Sequence, residues 1–524
     1  MCGIVGIYRY KTGAEVNQQE IESMCSVIEY RGPDGSGEYI DGALGFGHRR
    51  LTIIDTSERS NQPMVSADYN VVICYNGEVY NYVEMKNELL KEGVEFNTTS
   101  DTEVLMQMYR KHGLDSLQPL NGMYAYAIWD KEQNQLLLVR DRIGIKPLYY
   151  TITDDGIAFG SEIKSLLKVD GVKPEVNRRI VDSYMSVGYC PTSDTIFKNI
   201  FKLPPAHYLL IKNGEVCIEQ YWDMEFDKYE DKGEKYYVEK SRELLEDAVR
   251  LQLRSDVPLG VFLSGGIDSS AVVAMMHKLG VKDIKTFSVA WNYGKDFNET
   301  QYARQVSEKF GTDHHEYFMS ADDFRAFLPD YIRHMDEPVT EAAALSLYYI
   351  AKQTKPHVTV VLSGEGADEV FGGYPIYKYM QVVDHYKKVP SILRKLIFNP
   401  LLRKFGNKWA KYADLSEVEL EASYSGVSFY DEKQKKRLYT DEFKSECEQY
   451  TIFDALAPYY NYTRDEDLQT KMQYVDVKSW LVDDLLIKAD RMSMAASLEL
   501  RVPFLDHRFL EFVAKMPSKY RIKG

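Results

Sequence analysis

Cysteine is the second residue of the chain, in Met1-Cys2-Gly3-Ile4-Val5-Gly6-Ile7. An initiator methionine is normally removed when a small residue follows it. Its removal here leaves one residue carrying both a thiol and a free α-amine. A free thiol titrates near pH ~8.5 and an α-amine near ~7.7–8.0, so the amine is suited to take the thiol proton at neutral pH. One residue then supplies both attacking atom and base. The competing reading is a small buried cysteine in a first β-strand, where free cysteines usually sit.

A second string carries different chemistry. Val261-Phe262-Leu263 runs into Ser264-Gly265-Gly266 and then into Ile267-Asp268-Ser269-Ser270. An apolar strand, a glycine loop and a helix start in that order build a cradle for an anion, because backbone N–H groups converge on it. Asp268 is placed to hold a divalent cation on a bound phosphate. The loop falls at the carboxyl end of a strand, where open α/β sheets bind ligands. It is not a Walker loop, since the G-x-x-x-x-G-K-[ST] spacing and its lysine are absent. A further strand runs into Ser363-Gly364-Glu365-Gly366-Ala367-Asp368-Glu369. Asp368 is placed to share a metal with Asp268, and Glu365 to act as a base or orient a nucleophile. Read alone, these carboxylates and glycines also suit simple turns.

The elements that must position these groups fall into two patterns. In the first part, strands are expected near 2–8, 69–75, 123–129, 136–140 and 148–151, with Asn76-Gly77 as a tight turn after the second. Helical patterns intervene at 18–29, 82–92 and 102–111. Strands in runs with helices set apart predict an α+β domain with sheets between helices. Residues 223–237 are polar and acidic, which suits a connector. Beyond it, strands at 259–263, 286–291, 315–318 and 358–362 alternate with helices at 238–253, 268–279, 298–310 and 345–352. That alternation predicts an α/β domain with a mostly parallel sheet and a helical extension.

At 524 residues the chain is too long for one ordinary core. Its 44% hydrophobic and 27% charged content is ordinary for a globular protein, and the net charge of −15 argues against general affinity for nucleic acid or an anionic membrane. The six cysteines show no C-x-x-C pair or framework spacing, so a reducing compartment is expected. No signal peptide or membrane span is read, and the expectation is a soluble cytoplasmic protein. The stretch 382–450 is rich in Lys, Arg and aromatics, including Lys387, Arg394, Lys404 and Lys411. It reads as solvated helical faces rather than a nucleic-acid patch.

Together these residues resemble the glutamine-dependent asparagine synthetases of the bacterial B type, over essentially the whole chain. In that family an N-terminal class II glutaminase domain, an αββα sandwich of the N-terminal-nucleophile type, releases ammonia from glutamine. A C-terminal ATP-pyrophosphatase domain converts aspartate and ATP to β-aspartyl-AMP, which the ammonia attacks. The resemblance implies a glutaminase domain over 2–215, a connector over 216–237 and a synthetase domain over 238–524.

It also implies site residues. Cys2 matches the nucleophile, and Arg50, in His48-Arg49-Arg50-Leu51-Thr52-Ile53-Ile54, matches the arginine that grips the glutamine carboxylate beside Leu51, Thr52, Ile53 and Ile54. Asn76-Gly77-Glu78 matches an N-G-E motif whose Asn amide and Gly N–H form the oxyanion hole while Glu78 helps hold substrate. Asp101 matches the carboxylate for the substrate ammonium, and Arg31-Gly32-Pro33-Asp34 a further motif near the site. Singly, Asn76-Gly77 also reads as a hairpin turn, and Arg50 and Asp101 as surface charges.

In the second half, Leu263 and Val289 match contacts to adenine and ribose; Ser264, Gly265, Gly266, Asp268 and Ser269 match the pyrophosphate loop; Ser363 and Gly364 match a further nucleotide contact. Glu365 matches a residue tied to forming the adenylate or its attack by ammonia. Mg2+ is implied at Asp268 and Asp368. Lys488 and Arg491 are implied to bind substrate carboxylate or phosphate, and Glu499 to Asp506 resembles a stretch beside the acceptor pocket. The family normally continues past this point into a basic segment whose lysine neutralises charge in adenylation. Its absence from the sequence implies either a shortened sequence or a weakened synthetase half.

Glutamine, aspartate and ATP are the expected partners, with no nucleic acid, no membrane and a homodimer open. Two alternatives stay open: the same mechanism on another carboxylate, such as a sugar acid or peptide, or a glutaminase whose second domain binds ATP without synthesis.

Overall fold

The computed structural model describes residues 2–226, 230–291, 299–447 and 450–522. The expected helix start at 298 and the middle of the 223–237 connector fall partly outside them.

Among the described residues the first half holds twelve strands: β1 (Gly3–Tyr8), β2 (Gly35–Asp41), β3 (Leu44–Arg50), β4 (Met64–Val65), β5 (Val71–Val79), β6 (Gly122–Asp130), β7 (Gln135–Arg140), β8 (Tyr149–Ile152), β9 (Ile157–Gly160), β10 (Phe201–Lys202), β11 (His207–Lys212) and β12 (Glu215–Gln220). They form two six-stranded antiparallel sheets, ordered β10-β8-β9-β1-β3-β2 and β12-β11-β7-β6-β5-β4. Period-2 alternation explains how they stack. On β5, Val72 and Cys74 join Ile4, Phe46 and Phe159 between the sheets, while Ile73 and Tyr75 face the helices Tyr82–Lys91 and Asp101–His112 through Met85, Val104 and Leu105. The helix Gln18–Ser26 covers the other sheet through Ile21 and Met24, which meet Val5 and Ile7. The result is helix, sheet, sheet, helix, as expected.

Two local expectations are corrected. Asn76-Gly77 is not a turn, because β5 continues through it to Val79 in register with β6, with Gly77 opposite Tyr124. Gly77 has φ +154, and a Cβ there would sit 2.1 Å from the Met123 carbonyl, so this residue is fixed by a close strand approach rather than by turn chemistry. The start of the expected connector is also ordered as β12, which pairs with β11.

The second half contains a five-stranded sheet of β13 (Leu259–Phe262), β14 (Lys285–Trp291), β15 (Asp313–Met319), β16 (Val360–Leu362) and β17 (Glu499–Arg501), ordered β15-β14-β13-β16-β17. Every pairing in it is parallel. The helices Ile267–Lys278, Thr300–Phe310 and Ala343–Thr354 cross over between its strands, and a set of further helices spans 375–478. The two halves share one apolar cluster: Leu51, Ile53, Ile54, Ile143 and Ile145 pack with Val261, Leu362, Ala489 and Leu500. Polar ties run alongside, including Asp55 N–H to Asp256 at 2.8 Å and Asn121 Nδ2 to Asp506 at 3.0 Å.

Candidate active sites

Cys2 precedes β1 and is buried, lining a small cavity with Arg50, Leu51, Ile53, Ile54, Gly77, Glu78 and Asp101. Strand β1 therefore delivers the cysteine, β5 the Asn76-Gly77-Glu78 run, β3 the arginine, and the helix Asp101–His112 its first residue. Asn76 Oδ1 accepts a hydrogen bond from Cys2 N at 2.8 Å. Its Nδ2 is buried and has no hydrogen-bond partner among the described residues. An orphaned buried donor beside a thiol is what a developing oxyanion requires.

The Arg50 guanidinium is set by the following loop, donating to Ser57 O at 2.9 Å, to Asn61 Oδ1 at 2.7 Å and to Asp55 O. Asp101 accepts from Tyr75 Oη at 2.8 Å and from Val79 N at 3.1 Å. Burial nonetheless raises its pKa, so a bound ammonium would find a carboxyl in need of a counter-charge. Burial also pushes the Cys2 thiol up, with the Leu51 carbonyl and Arg50 charge opposing it. Glu78 is held well above the usual carboxylate range by burial and by Glu499, with Arg501 working the other way.

Thr52 does not line the cavity; its N–H donates to Asp34 at 2.8 Å, which ties in the Arg31-to-Asp34 motif. Gln62, Ser60, Ser100 and Thr102 also line it. Gln62 accepts from Tyr75 N at 2.6 Å. Its sequence neighbourhood carries no chemical signal, and it is the loop before β4, tied to β5 by this bond, that brings it there.

A second cleft, of about 370 Å³, opens at the carboxyl ends of β13, β14 and β16. Leu263, Ser264, Asp268, Ser269, Val289, Ser363, Gly364, Glu365 and Lys488 line it. Its size and mixed apolar and polar lining suit a small-molecule ligand. The loop is held by Ser264 and Ser269 hydroxyls 3.1 Å apart and by Gly266 N donating to Ser264 Oγ at 3.2 Å. Gly265 and Gly266 lie in this turn rather than on the cleft lining. Gly364 is where the two loops meet: a Cβ on it would lie 2.7 Å from Ser269 N and 2.9 Å from the Asp268 side chain.

Burial and the nearby Asp368 charge raise the pKa of Asp268, and burial raises that of Asp368. Asp268 lines the cleft and Asp368 does not; these are the two carboxylates that would hold a divalent cation, which would supply neutralising charge to a bound phosphate. No cluster of three or more His, Cys, Asp or Glu suited to a metal is found among the described residues. Lys488 Nζ lies 3.1 Å from Glu365 and 3.4 Å from Glu341. Burial opposes its charge, but these carboxylates hold its pKa above the ordinary lysine value.

Two cations implied for the acceptor region are elsewhere. Arg491 does not line the cleft; it is buried, 2.7 Å from Glu162 and 3.5 Å from Asp336, with its guanidinium over the Tyr149 ring. Arg501, in the stretch expected beside the acceptor pocket, pairs with Glu499 at 2.6 Å and lies 3.8 Å from Glu78 of the first site. A buried guanidinium needs carboxylate partners, and each of these two finds them in both halves of the chain: Arg491 in Glu162 and Asp336, Arg501 in Glu78 and Glu499.

A family model described as asparagine synthase matches residues 240–524, and one described as a glutamine amidotransferase domain matches residues 1–222. The chain is 37% identical to glutamine-hydrolyzing asparagine synthetase 1 of Bacillus subtilis, the match spanning all of this chain and 82% of that one. It is 35% identical to putative glutamine-hydrolyzing asparagine synthetase 2 of Methanocaldococcus jannaschii, over 96% of this chain and all of that one. A putative glutamine-hydrolyzing asparagine synthetase of Mycobacterium tuberculosis is 33% identical over all of this chain and 83% of its own length.

Proposed function

The chain belongs to the asparagine synthetase family, and we propose that it amidates L-aspartate to L-asparagine, with ATP as activator and glutamine as nitrogen donor. The observation that carries this reading is the orphaned Asn76 Nδ2 beside Cys2, in a chain whose other half opens a cleft lined by Ser264, Asp268 and Ser269. A donor with no internal partner is available to an oxyanion, and the ammonia so released has a site to go to.

In this reading Arg50 and Asp101 grip the α-carboxylate and α-ammonium of glutamine, which sets its side-chain carbonyl against the Cys2 thiol. The terminal amine of Cys2, free once the methionine is removed, takes the thiol proton. Attack forms a tetrahedral oxyanion that Asn76 Nδ2 and Gly77 N–H stabilise, worth ~3–4 kcal/mol per donor. Collapse releases ammonia and leaves a thioester, which water cleaves to glutamate.

In the cleft, Leu263 and Val289 contact the nucleoside, and the Ser264–Ser269 loop with Ser363 and Gly364 holds the phosphates. Mg2+, when held by Asp268 and Asp368, supplies neutralising charge for the departing pyrophosphate. The aspartate β-carboxylate attacks the α-phosphorus, forming the acyl-adenylate and releasing pyrophosphate. Ammonia then displaces AMP. Glu365, steered by Lys488, is placed to take the proton that the attacking ammonia loses. We propose the domain division as 2–215 and 238–524, and a cytoplasmic location follows from the substrates.

The test is release of AMP and pyrophosphate across a panel of carboxylates, with ammonia and then glutamine as nitrogen source. Aspartate is expected to give stoichiometric AMP, pyrophosphate and asparagine. Cys2→Ala is expected to abolish glutamine use and spare ammonia-dependent synthesis. Turnover of a sugar acid or peptide in place of aspartate overturns the acceptor assignment, and glutamine hydrolysis with no pyrophosphate from any carboxylate overturns the synthetase assignment.

A further inference from the structure

Between positions 387 and 411 the sequence carries eight Lys and Arg and no Asp or Glu, in a chain whose net charge is −15. In the structure this stretch is a helical run, Ser391–Leu393, Arg394–Phe398 and Asn399–Lys404, followed by the helix Asn407–Leu415. Its apolar side chains point the wrong way for a helix of a globular domain. Ile392 is 69% exposed, Leu396 74% and Phe405 67%, and Ile397, Leu401 and Trp409 are exposed with them. Ile392 and Leu396, like Ile397 and Leu401, are four residues apart and so share a helix face.

The polar residues point inward instead. Asn399 is fully buried, accepting from Tyr386 Oη at 2.7 Å and donating Nδ2 to Glu417 at 2.6 Å. Arg394 Nε donates to Val389 O at 2.9 Å and its Nη1 to Ser416 O. Tyr379 packs against Tyr412 with the rings tilted and their centroids 4.2 Å apart, which braces the base. The apolar stripe is therefore fixed outward by specific polar contacts. Around it, Lys395, Lys404 and Lys411 are exposed and have no ion-pair partner among the described residues.

We propose that residues 387–411 are a docking face for an anionic phospholipid bilayer, on which the protein sits peripherally. Aliphatic side chains with two Phe and one Trp, ringed by lysines, are the composition of an interfacial helix: the apolar groups enter the headgroup boundary and the cations meet lipid phosphates. Net charge does not oppose this, since charges more than a Debye length of about 8 Å away are screened and the local sign decides. Pairing this face with the same face of a second copy would set like charges against each other. Single-stranded nucleic acid would be met by stacking aromatics, whereas this stripe is mainly aliphatic. No described helix is long and apolar enough to cross a membrane, so the contact is with the surface.

The test is flotation of the full chain with vesicles of phosphatidylcholine alone and of phosphatidylcholine mixed with phosphatidylglycerol. Binding is expected to the anionic vesicles only and to weaken with salt. The pairs Leu396→Glu with Phe405→Glu, and Lys395→Glu with Lys404→Glu, are each expected to lower vesicle partition about tenfold or more. Glutamine hydrolysis and melting temperature, which none of these exposed residues supports, are expected to stay unchanged. No flotation with anionic vesicles at low salt overturns the proposal, as do variants that float like the parent. Self-association that the Leu396→Glu/Phe405→Glu pair abolishes, or RNA binding, in either case without flotation, reassigns the face and overturns it too.

Discussion

Arg31 donates Nη1 to Asp490 at 2.8 Å across the boundary between the two halves, and both side chains are buried. The same guanidinium donates Nε to the Cys2 carbonyl at 3.1 Å and pairs with Glu162 at 2.8 Å. Asp490 sits on the helix Ile487–Met494, which also carries Lys488 into the nucleotide cleft. One buried cation therefore touches the residue that bears the thiol and the helix that helps form the second site.

Removing the Asp490 charge should separate the two reactions. Breaking a buried pair typically costs ~3–5 kcal/mol, because the remaining charge stays buried without its partner. Asp490→Asn is expected to lower the melting temperature and to raise the glutamate formed per AMP in the glutamine-dependent reaction. Ammonia-dependent AMP formation should change less. An unchanged glutamate-to-AMP ratio with a lowered melting temperature would leave Asp490 a purely structural residue.

Asn76 offers a test inside the first site. Its Oδ1 holds Cys2 N while Nδ2 is unpartnered, so truncation removes one oxyanion donor and leaves Arg50 and Asp101 in place. Asn76→Ala is expected to lower kcat for glutamine hydrolysis by about 10²–10³ with little change in KM. A matching loss in KM instead of kcat would mean that Asn76 binds glutamine rather than its transition state.

How far such residues are legible before the fold is known depends on the range of the interaction that places them. The Ser264–Ser269 loop is local: strand, glycines and helix start are contiguous, and the structure assembles them as the spacing predicts. Asn76-Gly77 misleads because a dipeptide rule for turns is overridden by the β5–β6 register, which no local window contains. β3 gives little strand signal because Gly45 and Gly47 dilute its β-propensity. Arg491 is legible as a cation but not as to partner, since Glu162 lies in the other half of the sequence, and Arg501 reaches Glu78 of the first half besides its near neighbour Glu499. The docking face is hidden for the opposite reason: its basic run is visible in the sequence, but only the burial of Asn399 and the exposure of Ile392, Leu396 and Phe405 reveal that the apolar side faces out.

Gly364 tests the second site separately. An added Cβ would meet backbone N of Ser269 at 2.7 Å, closer than real Cβ contacts, and that backbone belongs to the loop proposed to hold the phosphates. The two loops must part, so Gly364→Ala is expected to raise KM for ATP and lower pyrophosphate release at least tenfold. Glutamine hydrolysis at Cys2 should be unaffected, because the distortion is confined to the loops of the parallel sheet. A variant with normal ATP kinetics would show that the loops open without cost.

The pH dependence of stability has a definite sign at His48. Burial pushes its pKa down to about 3, and Nε2 lies 3.1 Å from the Tyr75 carbonyl, which places the proton of the neutral ring on Nε2. In the unfolded chain the ring titrates near ~6.5. Below that pH the unfolded state binds the extra proton and the folded state does not, so stability falls as pH drops from about 6.5 toward about 3. His334, pushed down to about 4 by burial, acts in the same direction. Asp476 and Asp484, each pushed up to about 7 by burial, act oppositely, because the folded state there holds protons that the unfolded state has lost. The separable quantity is thus a difference between variants rather than the slope of the parent. His48→Gln keeps an N–H for Tyr75 and removes the titration. Between pH 6 and 4.5, urea melts should show the parent losing stability faster than His48→Gln by up to about 1.4 kcal/mol per pH unit. Equal slopes would mean that His48 takes up its proton without unfolding, which a ring sealed between β3 and β5 cannot do.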